Sequence, residues 1–159
     1  MAPLTPADIA RILPHRFPFL FVDQVAEFVP GQRITAIKHF SIDDCAARGN
    51  PPGVAMIPTG VIMELVTQVG AVLVLERPEM AGKIAMILQV PMARVIKPVK
   101  AGDTVRVEAT VVRMKTQVGE LRGSIYRDGE LVAEGQMRFA IANATEVMPG
   151  TAGGPVHQD

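Results

Sequence analysis

Pro58-Thr-Gly-Val-Ile-Met-Glu-Leu-Val-Thr-Gln-Val-Gly-Ala-Val-Leu-Val-Leu-Glu76 is the stretch that decides the fold. Its length and composition read as one helix, opened by Pro58 and Thr59 and stopped by Arg77-Pro78, with Thr59 suited to the N-cap. From Gly60 to Leu75 it is apolar nearly all round, so it must be covered on most sides. Glu64, Thr67 and Gln68 interrupt the apolar run, which is also too short to span a bilayer.

What covers this helix is written on either side of it. Upstream, Pro6 to Leu13 reads as a short helix capped by Thr5 and ended by Pro14, with Ile9, Ile12 and Leu13 on one face. Phe19 to Val29 and Arg33 to Phe40 read as strands joined by a turn at Pro30-Gly31. Downstream, Ile84 to Val95, Thr104 to Met114, Glu120 to Arg127 and Leu131 to Ala142 are rich in valine and isoleucine. Ala101-Gly102-Asp103 marks one turn, and Asp128-Gly129 predicts a tight hairpin. The expectation is an α+β fold in which an antiparallel sheet of five or six strands wraps one long apolar helix. Residues 1–147 form a single domain, and 148–159 form a Gly/Pro-rich tail expected to be disordered.

Bulk properties narrow the function classes. The 159 residues include 16 Lys and Arg against 16 Asp and Glu, so no global field favours nucleic acid or an anionic membrane. Cys45 stands alone, which leaves no disulfide within the chain and no cysteine-based metal site. Met1 to Pro6 lacks the pattern of a signal peptide. A cytoplasmic protein without metal or redox cofactor, bound to neither nucleic acid nor membrane, is the expectation.

The polar residues of the helix are where chemistry is expected. Glu64, Thr67 and Gln68 are spaced i, i+3 and i+4, which puts them on one helix face. A carboxylate in apolar surroundings is costly unless paired, and desolvation should favour its protonated form. Such a group suits general acid or base work, but it equally suits a structural bond to backbone or a subunit interface. Ser41 to Ile57 is the least regular segment of the chain. Within it, Gly49-Asn50-Pro51-Pro52-Gly53 places a polar side chain among tight-turn residues just before the helix N-terminus. Free N–H groups there suit a developing negative charge, such as a thioester carbonyl becoming an enolate.

Three segments together resemble the 3-hydroxyacyl-acyl carrier protein dehydratases, the FabZ-like branch of the hot-dog superfamily. They are Ile12-Leu-Pro-His-Arg-Phe-Pro-Phe-Leu-Phe-Val-Asp23, the loop and helix from Gly49 to Gln68, and Ala93-Arg-Val-Ile-Lys-Pro-Val-Lys-Ala-Gly-Asp103. The resemblance runs from about Pro6 to Ala142 and implies a single hot-dog domain. In that family the loop reads Gly-His-Phe-Pro-Gly, and its His meets a helix Glu across a dimer interface. Gly49, Pro52, Gly53 and Pro58 match, and Glu64 falls at the Glu position. Asn50 stands where the His is expected, Pro51 where the Phe is, and Thr59 where a Gly is, with Gly60 one place later.

The resemblance implies Glu64 and Asn50 as catalytic residues, with His39 as a stand-in base at the end of the second strand. It implies Gly53, Pro58, Thr59, Gly60 and Gln68 along the substrate, and Arg94, Lys97, Lys100 and Arg48 as a basic patch for an acidic acyl carrier protein. His15 belongs to the opening motif and reads as structural. A carboxamide orients or polarises but does not accept a proton at neutral pH, and losing a general base costs about 10²- to 10⁴-fold in rate. Three functions follow: a dehydratase impaired by Asn50, a non-catalytic partner of an active paralogue, or a hot-dog thioesterase using Glu64 and Asn50. The implied ligand is an acyl chain on phosphopantetheine. The implied assembly is a homodimer, a trimer of dimers, or a heterodimer with a paralogue.

Overall fold

A computed structural model describes residues 3–44 and 55–148. The elements, in chain order, are α1 (Pro6–Ile12), β1 (Gln24–Val29), β2 (Arg33–His39), α2 (Thr59–Leu75), a 3-10 turn (Pro78–Met80), β3 (Lys83–Val95), β4 (Thr104–Lys115), β5 (Val118–Arg127), β6 (Glu130–Asn143) and α3 (Ala144–Val147). The six strands make one sheet in the order β1-β2-β4-β5-β6-β3, and every pairing is antiparallel. This is the expected sheet around one long helix, and β1 and β3 are its edges.

Helix α2 supplies the middle of the core. Every residue from Gln68 to Leu75 is buried, as are Ile62, Leu65 and Val66. They pack with Val105, Val107, Ala109, Leu121, Ile125, Val132, Met137 and Phe139 from the sheet. Two glycines let helix and sheet approach closely. A Cβ at Gly123 of β5 would sit 2.2 Å from Val66 Cγ1, and one at Gly70 would sit 2.4 Å from Leu121 Cδ1.

Local sequence chemistry fixes several boundaries. Thr5 and Asp8 form a capping box at α1, the Thr5 hydroxyl accepting from the Asp8 N–H and the Asp8 carboxylate from the Thr5 N–H. The Asp128-Gly129 hairpin forms as expected, with φ of 52° and 81°, the left-handed pair a two-residue turn needs. Gly102, at φ 93°, turns the chain between Lys100 and Asp103.

Two expectations are corrected. Thr59 is the first helical residue, and the N-cap is Pro58, whose extended backbone carbonyl accepts the first helical bond from Ile62. The first strand starts at Gln24 rather than Phe19. Phe21 and Val22 are buried, but the Phe21 N–H goes to the Gln68 side chain instead of a neighbouring strand. Ahead of it, a cis Phe17–Pro18 bond and a turn from Arg16 to Phe19 interrupt any extension. The loop expectations for Cys45, Arg48, Asn50 and Gly53, and those for the tail beyond Met148, lie outside the described residues. No helix among the described residues is long and apolar enough to cross a membrane.

Candidate active site

The site is built on the first half of α2. Gln68, fully buried, spends its whole amide on protein groups. Its Oε1 accepts from the Phe21 N–H at 2.8 Å. Its Nε2 donates to the Phe19 carbonyl at 2.8 Å and to Glu64 Oε1 at 2.9 Å. Gln68 thus ties the Phe19–Phe21 segment to the helix and holds the Glu64 carboxylate in place. Thr67 does not join this network: its hydroxyl donates back to the Met63 carbonyl at 3.0 Å and also contacts Met137 Sδ.

The second partner of Glu64 is one that sequence reasoning set aside. His15 Nε2 lies 3.5 Å from Glu64 Oε1, and the two side chains remain 29% and 23% exposed. The Pro14-His-Arg-Phe-Pro18 turn delivers the ring. Arg16 Nη1 donates to the carbonyls of Leu13 and His15, and the Phe19 N–H donates to the Arg16 carbonyl. His15 Nδ1 is buried with no hydrogen-bond partner among the described residues. Phe19 packs beside the ring, centroids 6.0 Å apart. The signal for His15 was present in the opening motif, but nothing in its spacing from Glu64, 49 residues away, places the two together.

His39 sits elsewhere. Its ring Nδ1 meets Thr104 Oγ1 at 2.9 Å and its N–H donates to Asp23 Oδ2 at 2.7 Å. Neither partner is shared with Glu64. The same strand end carries a buried Lys38, paired with Asp23 at 3.3 Å and Asp44 at 3.0 Å. That cluster ties Lys38 to Asp44, the last described residue before the stretch that contains Asn50.

Pro58, Thr59 and Gly60 lead into the helix, with Thr59 and Gly60 exposed. No side chain among the described residues caps this end and no acidic residue lies in its first turn, so its N–H groups are left for water or a ligand. Residues 55–57 are held against 99–101: the Ile57 N–H donates to the Val99 carbonyl and the Ala101 N–H to the Ala55 carbonyl. This registers the start of α2 against the Pro98-Val99 motif.

Two residues of the expected basic patch are ion-paired. Arg94 pairs with Glu134, and Lys97 with Glu130, both across the β3–β6 side of the sheet. Lys97's hydrogen bond, then its charge, holds the Glu130 carboxyl below its usual range. Lys100 is exposed, and its N–H donates to Asp103 Oδ2 at 2.9 Å. Arg127, missed in the sequence, completes this corner by pairing with Asp103 at 2.6 Å and donating to the Pro98 carbonyl. Burial works to raise the Asp103 carboxyl, but the Lys100 N–H and the Arg127 guanidinium outweigh it and leave it lowered.

One cavity of about 910 Å³ lies at the far end of α2, lined by Ile12, Leu75, Arg77, Met80 and Ile84 among others. None of the candidate catalytic, substrate-binding or carrier-binding residues lines it. Three large apolar side chains upstream of Glu64 are exposed: Phe17 at 90%, and Phe19 and Met56 less so. Among the described residues, no cluster of three or more His, Cys, Asp or Glu side chains is placed to hold a metal ion.

A six-stranded antiparallel sheet wrapped round one long buried helix defines a hot-dog fold. Solved hot-dog structures overlay on it. The dehydratase heterocomplex ApeI:P from Xenorhabdus doucetiae matches with a TM-score of 0.74 at 19% identity, over 87% of this chain and 93% of that one. A hypothetical thioesterase with coenzyme A from Streptococcus pneumoniae matches with a TM-score of 0.59 at 13% identity, over 75% and 84%. Sequence comparison is more specific. The FabA-like domain profile matches residues 13–136. The 3-hydroxyacyl-[acyl-carrier-protein] dehydratase FabZ of Symbiobacterium thermophilum is 39% identical over 87% of this chain and 98% of its own length. That of Herpetosiphon aurantiacus is also 39% identical, over 88% and 99%. The chain belongs to the FabA-like family, in its FabZ-type dehydratase branch.

Proposed function

We propose that this chain handles acyl chains carried on acyl carrier protein, as a 3-hydroxyacyl thioester dehydratase with weak activity on its own. The observation that carries this reading is Glu64, held by Gln68 on a FabZ-type helix yet open to solvent on one side. A carboxyl group so placed suits protonation of a departing 3-hydroxyl or activation of water in the reverse direction. The uncapped start of α2, with Thr59 and Gly60 exposed beside it, suits the thioester oxygen. Asn50, in the position where the family carries His, supplies no base, and the weak activity follows from that. The ligand lies along the exposed apolar surface of Phe17, Phe19 and Met56.

A dimer is part of this proposal. Among the described residues edge strand β3 pairs only with β6, and Ile87, Leu88 and Val90 along it are all exposed. An unpaired edge with exposed apolar residues invites a second copy to extend the sheet. The second reading, a partner subunit of an active paralogue, rests on Asn50: a mixed dimer would keep one complete His–Glu site. ApeI:P is a dehydratase heterocomplex on this same fold, which makes that assembly physically reasonable.

The test is interconversion of 3-hydroxybutyryl- and 2-butenoyl-carrier protein by wild type, Glu64→Gln and Asn50→His. Slow wild-type turnover, abolished in Glu64→Gln and raised in Asn50→His, is expected. Wild-type turnover that Glu64→Gln leaves intact would contradict the reading. An inert wild type awakened by Asn50→His would favour the partner-subunit reading.

A further inference from the structure

We infer that His15 is the base of this site, so that both groups doing the chemistry, His15 and Glu64, come from one chain. The inference rests on the dehydratase reading and supplies the base that the Asn50 loop does not.

Four observations meet here. His15 Nε2 and Glu64 Oε1 are 3.5 Å apart, close enough to exchange a proton yet too long for a locking hydrogen bond. Both side chains keep about a quarter of their surface open, and Phe19, whose ring centroid lies 6.0 Å from that of His15, is exposed beside them. His15 Nδ1 is buried without a partner among the described residues, which is uncommon in a finished structure and expected where a site is completed by something else. Finally, the turn carrying the ring is fixed by its own bonds. Arg16 reaches back to Leu13 and His15 carbonyls, and Gln68 holds Phe19 and Glu64 together. The ring and the carboxyl are therefore positioned through the same glutamine.

The reaction closes on these two groups. With a 3-hydroxyacyl thioester against the pair, Nε2 takes the proton from C2. The electron pair of that C–H bond becomes the C2=C3 double bond as the C3–O bond breaks toward oxygen. The protonated Glu64 carboxyl gives its proton to the departing hydroxyl, which leaves as water. The imidazolium and carboxylate left behind are neighbours, and the proton crosses from Nε2 to Oε1 to restore the starting state. No other reactant is consumed. Hydrogen and hydroxyl leave from the same face, because both groups stand on one side of the substrate.

The experiment measures hydration of 2-butenoyl-carrier protein by the full chain and by His15→Gln, His15→Ala and Glu64→Gln, with melting temperature recorded for each. His15→Gln is expected to lower kcat by about 10²- to 10⁴-fold with little change in KM. Added imidazole is expected to restore part of the His15→Ala rate and none of the Glu64→Gln rate. A His15→Gln variant with wild-type kcat overturns the inference, as does a folded His15→Ala that imidazole does not rescue. Binding of the same carrier protein separates the two levels. A wild type that binds it without turning it over overturns the role of His15 and leaves acyl-carrier handling standing. A wild type that neither binds nor turns it over removes the parent reading as well.

Discussion

The two halves of α2 share one helix and one strand context but obey different rules. From Val69 to Leu75 every side chain is buried and apolar, and each residue is there to fill space against the sheet. From Thr59 to Gln68 the helix is partly open: Thr59 and Gly60 are exposed, Glu64 is intermediate, and the one fully buried polar side chain, Gln68, is saturated with hydrogen bonds. The buried half can be checked by volume alone. The open half has to be checked bond by bond, because a buried amide or a half-buried carboxylate is tolerable only when its partners are present. The difference teaches where chemistry can be hosted on this fold. The second half carries no polar side chain, and the first half gathers Glu64, Thr67 and Gln68 within five residues.

Substitutions on either side of Gln68 should therefore separate activity from stability. The largest effect is expected from Glu64→Gln, which keeps the shape and removes the titratable group. Turnover should fall by about 10²- to 10⁴-fold, while the thermal midpoint stays within about a degree or two, as for substitutions that leave packing intact. Leu73→Ala should do the reverse. Leu73 is fully buried, and its truncation should cost about 2–5 kcal/mol in denaturant unfolding, with kcat of the remaining folded protein unchanged. A Leu73→Ala protein as stable as wild type would break the distinction between the halves.

Gln68→Leu should fall between, and it touches both properties. It leaves the Phe21 N–H and the Phe19 carbonyl without their partner, at about 1–3 kcal/mol for each buried group left unsatisfied. It also frees Glu64 from one of its two contacts, so activity and stability should drop together. The smallest effect belongs to a site away from the helix. Asp103 is held below its ordinary value of 3.8. A carboxylate lowered in the folded state adds stability above the unfolded value and loses it as the pH falls through the folded one. Asp103→Asn should accordingly lower the melting temperature slightly at pH 7, and the difference from wild type should shrink as the pH falls below 3.8.

Much of this was legible in the chain. The apolar run from Val61 to Leu75, the valine-rich strands and the Asp128-Gly129 turn carry local signals that the structure honours, because pattern and turn chemistry act over a few residues. The beginning of β1 was not legible. Phe19 to Val22 has strand composition, but its hydrogen bonds go to a side chain 47 residues away in sequence, and no local pattern encodes that. The site divided the same way. Glu64 and Gln68 stood out as polar residues in an apolar helix, at a spacing that helical geometry turns into contact. Their link to His15 is long-range and passes through a loop that reads as irregular. His39 looked better placed in sequence because it ends a strand near the Asn50 loop, yet its ring is turned to Thr104. Arg94 and Lys97 stood out as candidate cations, while their glutamate partners on β6, 40 and 33 residues away, give no local signal.

The most direct test of the central claim follows labelled oxygen from water into product. Wild type and Glu64→Gln are incubated with 2-butenoyl-carrier protein in isotopically labelled water, and the acyl species are read by mass spectrometry. Label at C3 of an acyl chain still attached to its carrier, formed by wild type and lost in Glu64→Gln, is the predicted result. Label in a released carboxylic acid, with the tethered chain unlabelled, would contradict it and assign Glu64 to thioester hydrolysis instead.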